Sequence, residues 1–261
     1  MQASHINFVW LSEKRMNLLS YLREGPKDIE QIKSFFGVTS RLIVPEIKKL
    51  VKTGIILESD GMYTLSNIGK LNLENLEDFI DTAELIEKDI DFWENSDLTA
   101  IPSDLYQRIG ELKNSTIYVY DLDDIFDAPK QLKETVATAR EILVFMPFLP
   151  PMFPTSFLDA LSKGAKVSIV LTKTIMEKMK REFPQEYNQH RNSPNCKMFT
   201  CAEDVIRPMI VAMDNFLLLG FFRHNGVYGN KELMSYDKRA IEWGRDLCRY
   251  YISISEPVEY T

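Results

Sequence analysis

The apolar positions between residues 28 and 54 recur at the spacing of two consecutive amphipathic helices. Asp28 and Gln31 have the spacing of a capping box at the start of the first helix, and Gly37 can end it. Thr39 can cap the second helix, and Gly54 is placed to stop it. The predicted apolar faces consist of Ile29, Ile32, Phe35 and Phe36 in the first helix and Ile43, Ile47, Leu50 and Val51 in the second.

A hairpin is predicted directly after these helices. Residues 55–58 and 62–65 flank Ser59-Asp60-Gly61, and Asp-Gly is a strong hairpin signal. The order helix, turn, helix, hairpin resembles the winged-helix domains of ArsR- and MarR-type transcription regulators. That resemblance implies a double-stranded DNA partner, because many such domains insert the second helix into the major groove.

The residues expected to contact DNA lie mainly on the second helix, away from its apolar face. Pro45 is unfavourable inside the predicted second helix, because a proline there removes a backbone hydrogen bond and tends to kink the helix. Glu58 and Asp60 make the wing acidic, and phosphate would repel them. A winged helix that contacts protein instead of DNA is the alternative. The predicted DNA-binding residues are Ser40, Arg41, Val44, Lys48, Lys49, Lys52 and Tyr63.

Residues 67–94 have the pattern of one long connector helix. Their apolar positions step by three and four residues, which predicts a seam that packs against another helix. Two partners are open: the same helix of a second copy in a homodimer, or the chain's own C-terminal domain. Dimerisation is favoured because operators usually mirror a two-fold protein. The seam consists of Leu76, Phe79, Ala83, Ile86, Ile90 and Trp93.

From about residue 97 short apolar strands alternate with helices. Continuously apolar strands separated by helices predict a parallel sheet that is buried on both faces. Residues 209–213 and 216–222 predict a hairpin across Asp214-Asn215. The expected fold is α/β (α+β overall), with a winged helix at 1–70, a connector helix at 71–96 and an α/β effector-sensing domain at 97–261.

The predicted hairpin resembles a second family. Phospholipase D-like domains carry His-x-Lys-x4-Asp beside such a strand, and at the same spacing this chain has Arg207, Met209 and Asp214. The histidine nucleophile and the phosphate-binding lysine are both replaced. The resemblance therefore implies a phospholipase D-like domain without catalysis, and the chain is predicted not to be an enzyme. A phosphodiesterase or nuclease with an attached winged helix remains the alternative.

The whole chain is also similar to a family of archaeal regulators that join a winged helix to a domain named for regulation of methanogenesis. The similarity implies transcription regulation and no particular effector. The residues that carry it are Ile101-Pro102, Gly110, Gly164, Met213-Asp214, Gly220, Gly226-Val227-Tyr228 and Ala240-Ile241-Glu242-Trp243-Gly244.

An effector site is predicted beyond the carboxyl ends of two strands, where open α/β sheets bind ligands. After one strand comes a stiff apolar loop, 147–153, and after the other a helix N-terminus that favours an anion. Together they suggest a small molecule with an apolar body and an acidic group. Core packing of the loop is the alternative. The predicted ligand-binding residues are Met146, Phe148, Met152, Thr172, Lys173, Thr174 and Asp214.

Composition refines these expectations. The net charge of −7 divides into +3 over residues 1–70, −13 over 71–128 and +3 over 129–261, so the acidic middle should keep DNA on the N-terminal part. No apolar run is long enough to span a membrane, and nothing resembles a signal peptide, which predicts a cytoplasmic protein. The three cysteines predict buried free thiols, with a Cys196–Cys201 redox pair as the alternative, and no metal site or cofactor is expected.

Overall fold

The computed structural model describes residues 12–120, 130–202 and 208–258. The chain forms two compact units, residues 1–80 and 81–261. The observed mixture of helices and strands confirms the α/β class. None of the helices in the described ranges combines the length and apolar character that a membrane span requires.

In its described residues, the first unit holds three helices followed by a hairpin, and the start of a longer helix. A three-stranded antiparallel sheet has the order β1-β3-β2. The elements are α1 Glu13–Arg23, β1 Lys27–Asp28, α2 Ile29–Phe36, α3 Ser40–Lys52, β2 Ile56–Ser59, β3 Met62–Leu65 and α4 Asn67–Glu87.

The predicted capping box of α2 is confirmed. The Gln31 backbone N–H donates to Asp28 Oδ1 at 2.8 Å, and the Asp28 backbone N–H donates to Gln31 Oε1 at 2.9 Å. Gly37 ends the helix with φ 59°, in the left-handed region that glycine adopts at little cost. Sequence spacing alone therefore places both ends of this helix correctly.

Helix α3 packs its apolar face into the core of the first unit. Ile43, Ile47 and Leu50 are fully buried there. Thr39 is the N-cap residue, although its side chain makes no capping hydrogen bond. The helix continues through Pro45, which lies on the exposed side. The proline therefore faces solvent and displaces no core contact.

The predicted wing is confirmed as a tight hairpin. Ser59 pairs with Met62, so Asp60-Gly61 forms a two-residue turn. Both turn residues have positive φ, 51° for Asp60 and 76° for Gly61, as a type I′ turn requires.

The predicted single connector helix is wrong in one respect, because it breaks at Lys88–Asp89. Helix α4 ends at Glu87, and a short α5, Ile90–Asn95, follows. The Asp89 carboxylate accepts the Phe92 backbone N–H at 2.9 Å and so caps α5. An aspartate at this position favours a new helix start over continuation.

The predicted dimerisation seam does not form one exposed face. Phe79 and Ile90 are 69% and 60% exposed, whereas Leu76 and Trp93 are 5% and 7% exposed. The Trp93 indole N–H donates to the Leu85 carbonyl at 3.1 Å. Ile86 is exposed and Ala83 is half-buried. The residues at this regular spacing therefore include both buried and exposed side chains.

The second unit is built on an eight-stranded sheet of order β11-β7-β6-β5-β8-β9-β10-β4. Strands β5, β6 and β7 run parallel, and the remaining pairs are antiparallel. The predicted parallel arrangement is confirmed in β5, β6 and β7, and the predicted hairpin is confirmed in β8 and β9, so the sheet is mixed. Its strands are β4 Thr116–Val119, β5 Glu141–Met146, β6 Lys166–Thr172, β7 Cys196–Cys201, β8 Met209–Met213, β9 Leu217–Phe222, β10 Tyr228–Ser235 and β11 Glu256–Pro257.

Helices cover both faces of this sheet. They are α6 Ser103–Gln107, α7 Lys130–Val136, α8 Phe153–Ser156, α9 Leu158–Ser162, α10 Lys173–Glu182, α11 Pro184–Asn192 and α12 Lys238–Ser253, with a 3-10 turn at Ile109–Leu112. Alternate residues of β5 enter different cores: Ile142 and Val144 join one, Leu143 and Phe145 the other. Burial of both faces explains why this strand is continuously apolar.

All three cysteines are buried, as predicted. Cys196 and Cys201 lie at opposite ends of β7, about 17 Å apart along an extended strand. A disulfide joins Cα atoms less than about 7 Å apart, which excludes the alternative of a redox pair. Among the described residues no cluster of His, Cys, Asp and Glu is suited to hold a metal ion.

Candidate nucleic-acid interface and ligand cavity

Helix α3 presents a basic face opposite its buried one. Arg41, Lys48 and Lys52 lie within about 40° of one another around the helix axis at 100° per residue. All three side chains are exposed. Within the described part of the chain none of them forms an ion pair. These cations are therefore free to meet an external anion.

The other predicted DNA contacts occupy different environments. Ser40 is exposed at the first helical residue. Lys49 is exposed but pairs with Glu46 at 2.9 Å. Val44 is predicted to point away from the apolar face. In the structure it is half-buried and packs against the core of the first unit, so that prediction is wrong for this residue.

Tyr63 on the wing is partly committed to internal contacts. Its hydroxyl donates to Glu58 at 3.3 Å, and its ring packs against the core. Burial, and then the neighbouring Glu58 carboxylate, raises the pKa of Tyr63. The wing thus presents an acidic surface with a tyrosine held against it.

The second unit contains a cavity of about 310 Å³ beyond the carboxyl end of β5. Met146, Phe148 and Met152 all line it. The structure thus brings together the three apolar members of the predicted site. The sequence reasoning missed the other lining residues, which are Tyr120, Leu132, Leu149, Pro150, Pro151, Phe153, Ser156, Phe157, Met209, Val211, Leu218, Tyr228, Gly229 and Glu232.

A buried carboxylate lies at the polar end of this cavity. Glu232 is 4% exposed and accepts hydrogen bonds from the Tyr120 hydroxyl and, at 2.7 Å, from the Tyr228 hydroxyl. Burial raises the pKa of Glu232, and the two hydroxyls counteract this only in part. Burial and the neighbouring carboxylate raise the pKa of both tyrosines, so the phenols stay protonated.

Gly220 of β9 makes room for this arrangement. A Cβ atom at Gly220 would lie 1.8 Å from Tyr228 Oη and 3.2 Å from Glu232 Cγ. Strand pairing sets Glu232 directly opposite Gly220. The sequence reasoning noted Gly220 and Tyr228 only as residues of a family resemblance. A glycine inside an otherwise apolar strand is the signal that marks a close approach.

The predicted anion site is not part of the cavity. Thr172 caps α10, its Oγ1 accepting the Ile175 backbone N–H at 3.2 Å. Lys173 and Thr174 are exposed, and none of the three lines the cavity. Strands β5 and β6 are adjacent, but only the segment after β5 lines the cavity, so neighbouring strand ends did not guarantee one shared pocket.

Asp214 also lies away from the cavity, at the opposite end of β8. Its Oδ1 accepts the backbone N–H groups of Arg140 at 2.9 Å and Glu141 at 3.3 Å. Burial alone would raise the pKa of Asp214, but these backbone hydrogen bonds outweigh it and lower the pKa. Asp214 thus anchors the β8–β9 turn to the start of β5.

The remaining positions of the phospholipase D-like spacing give no catalytic set. Met209 is buried and lines the cavity, where its thioether is no substitute for a phosphate-binding ammonium. Arg207 lies outside the described residues.

Comparison with known proteins finds two matching family models. Residues 125–254 match the middle domain of the methanogenesis regulatory protein FilR1, and residues 3–84 match its N-terminal domain. The methanogenesis regulatory protein FilR1 of Methanothrix harundinacea (strain 6Ac) is 25% identical over 255 residues, covering 95% of this chain. The chain spans 56% of the length of that relative.

Solved structures give more distant likenesses. TrmBL2, described as an archaeal chromatin protein with a novel mode of DNA binding, is 13% identical over 99% of this chain and 100% of its own, with a TM-score of 0.44. Nuc from Salmonella typhimurium, a phospholipase D family member, is 15% identical over 56% of this chain and 99% of its own, with a TM-score of 0.43. At these TM-scores both are resemblances and no more. Through the matches to its N-terminal and middle domains, the chain is similar to methanogenesis regulatory protein FilR1 in both of its units.

Proposed function

We propose that this chain is a DNA-binding transcription regulator whose second unit senses a small molecule. The basic face of α3 is the observation that carries the proposal. Arg41, Lys48 and Lys52 form a line of unpaired cations on the helix that precedes a hairpin wing, as in domains that read the major groove. The similarity to FilR1 in both units supports a regulatory role.

The three cations have separate expected roles. Arg41 lies in the first turn of α3, and recognition helices contact base edges mainly with their N-terminal residues. An arginine there can bind the O6 and N7 atoms of a guanine. Lys48 and Lys52 lie further along the same face and would contact phosphates, which position the protein without reading sequence.

A homodimer is part of the proposal, with a different contact surface from the one first predicted. Ile68, Phe79 and Ile86 of α4 are exposed and lie within about 20° of one another around the helix, with Leu71 about 60° to one side. This apolar stripe is about 27 Å long. We assign the same stripe of a second copy as its occupant, because two heads on a palindromic site compensate for the weak basic charge of one.

The cavity of the second unit is the proposed effector site. Its volume and largely apolar lining are typical of a small-molecule site, in which a few polar groups fix the orientation of the ligand. An occupant that prefers one of two arrangements of the dimer would shift the spacing of the two DNA-binding heads. No catalytic role is assigned to the second unit.

Fluorescence anisotropy with a labelled duplex from upstream of the chain's own coding region tests DNA binding. We expect Lys48→Ala to weaken binding about fivefold to tenfold and to lower the slope of log affinity against log salt by about 1, since one phosphate contact is lost. Lys163→Ala is the matched control, because Lys163 is exposed and lies in the second unit. Equal effects of the two substitutions, or no binding by the unaltered chain, would refute the assignment.

A further inference from the structure

The cavity of the second unit has a chemical character that identifies its ligand class. We propose that it binds an apolar molecule carrying a protonated amine, which the Glu232 carboxylate and the surrounding aromatic rings recognise. This inference rests on the sensing role proposed above and adds the class of the effector. It replaces the acidic ligand that the sequence alone suggested.

Charge is the first support. Glu232 is the one ionisable acid or base other than tyrosine among the described residues that line the cavity. Within the described ranges no lysine or arginine pairs with it. A buried carboxylate without a cation is costly, so a ligand that brings the positive charge relieves that cost. An anionic ligand would meet the carboxylate instead of a cation.

The hydrogen bonds of Glu232 leave room for the amine. One carboxylate oxygen accepts from Tyr120 and the other from Tyr228. Each oxygen can accept a second hydrogen bond, and an ammonium group supplies up to three donors. The two phenols therefore orient the carboxylate without saturating it.

Aromatic rings form the second support. The rings of Phe148 and Tyr228 lie 4.7 Å apart between centroids, and Tyr228 and Phe222 lie 5.3 Å apart. Tyr120, Phe148 and Tyr228 all line the cavity, and the two tyrosine hydroxyls bond to Glu232. Aromatic faces attract cations, most strongly where water is excluded. Carboxylate and rings together favour an ammonium over a neutral donor.

The remaining walls define the body of the ligand. Leu132, Met146, Val211 and Leu218 are apolar. A volume of about 310 Å³ lies at the lower end of the range for small-molecule sites, which favours a small ligand. A monoamine with a short aliphatic or aromatic body fits this space.

The test compares three probes that share one body and differ in the head group: 4-phenylbutylamine, 4-phenyl-1-butanol and 4-phenylbutyrate. Isothermal titration calorimetry on the full chain, without DNA, measures their affinities. We expect the amine to bind at least tenfold more tightly than the alcohol and the carboxylate not to bind. An alcohol or carboxylate that binds as tightly as the amine, or an absence of binding by all three, would overturn the proposal.

Substitution then locates the selectivity. In Glu232→Gln the amine should bind about as weakly as the alcohol does, while the affinity for the alcohol changes less than threefold. Glu256→Gln is the control, since Glu256 is exposed on β11 and lies outside the cavity lining. An amine preference that persists in Glu232→Gln would contradict the assigned role. Because the head-group comparison uses the unaltered chain, it decides the question even if the variant does not fold.

The proposal of amine binding and the proposal of DNA binding can be refuted independently of each other. Calorimetry without DNA reports only on the cavity, and anisotropy without amine reports only on DNA binding. A chain that selects the amine but does not bind DNA would retain this inference and lose the regulator. The reverse result would retain the regulator and lose the amine.

Discussion

At the scale of single residues, Gly220 has little room for a side chain, because it packs against Tyr228 and Glu232 of the cavity lining. Gly220→Ala places a methyl group against the Tyr228 ring and forces that ring away from Glu232. We expect a loss of about 1–3 kcal/mol in the free energy of unfolding, as for overpacked cores. Chemical denaturation measures it.

Two further variants check this explanation. Gly229→Ala in β10 is the matched control, since the nearest atom to its new Cβ would be Arg223 Nε at an ordinary 3.6 Å. Combining Gly220→Ala with Tyr228→Phe removes the closest clashing atom, so the double variant should be more stable than the sum of the single losses predicts. Strict additivity would argue against a direct clash.

Residues differ in how well the sequence alone locates their roles. Asp28 and Gln31 were placed correctly because a capping box depends on residues three apart. The contact between Tyr120 and Glu232 joins residues 112 positions apart, and no local pattern reports it. Glu232 lies in β10, whose sequence also contains Gly229-Asn230. These two residues interrupt the alternation of apolar and polar positions by which a strand is recognised in a sequence.

At the scale of elements, Asp214 joins the β8–β9 turn to β5. Removing its carboxylate in Asp214→Ala leaves two backbone N–H groups without their acceptor, and we expect a loss of about 1–2 kcal/mol at pH 7. Because folding lowers the pKa of Asp214, this stabilisation is present above the ordinary value of 3.8 and is lost as the pH falls through the lowered pKa.

Urea denaturation at pH 7 and at pH 3 measures this pH dependence. The difference between the unaltered chain and Asp214→Ala should narrow at the lower pH. Asp159→Ala is the control, because the Asp159 carboxylate forms an exposed ion pair with Lys163, and exposed pairs contribute little. A difference that stays constant with pH would mean that the carboxylate charge is not involved.

The ends of helices and strands are predicted well where neighbouring residues in the sequence determine them. They are predicted poorly where packing against distant residues determines them. The Asp60-Gly61 turn fixes the wing and its register. Regular three- and four-residue spacing continues across Lys88–Asp89, although α4 ends at Glu87 and Asp89 caps the start of α5. Strand β7 was missed because its sequence, Cys-Lys-Met-Phe-Thr-Cys, contains lysine and threonine and is therefore not continuously apolar.

At the scale of the whole molecule, the apolar stripe on α4 is the proposed contact of the homodimer. Phe79→Glu puts a charge in the middle of the proposed dimer contact and should convert the dimer to a monomer at micromolar concentration. Light scattering after size-exclusion chromatography measures the mass. Binding to a palindromic duplex should weaken in parallel, because each first unit alone would contribute few of the proposed phosphate contacts.

The control for this change is Lys70→Glu, which adds negative charge about 180° away from Phe79 on the same helix. Lys70 is exposed, and its substitution should leave the mass unchanged. A monomeric unaltered chain, or a Phe79→Glu variant that remains dimeric, would remove the stripe from the proposal.

Each of the two hydrophobic cores that flank the sheet contains at least one cysteine. Cys196 belongs to the core on one face, whereas Cys201 and Cys248 belong to the core on the other. A thiol reagent can reach each cysteine only when its surroundings open. Mass spectrometry of peptides after timed alkylation would therefore measure the opening free energy of each layer independently. Without any introduced label, it would show which layer a bound amine protects.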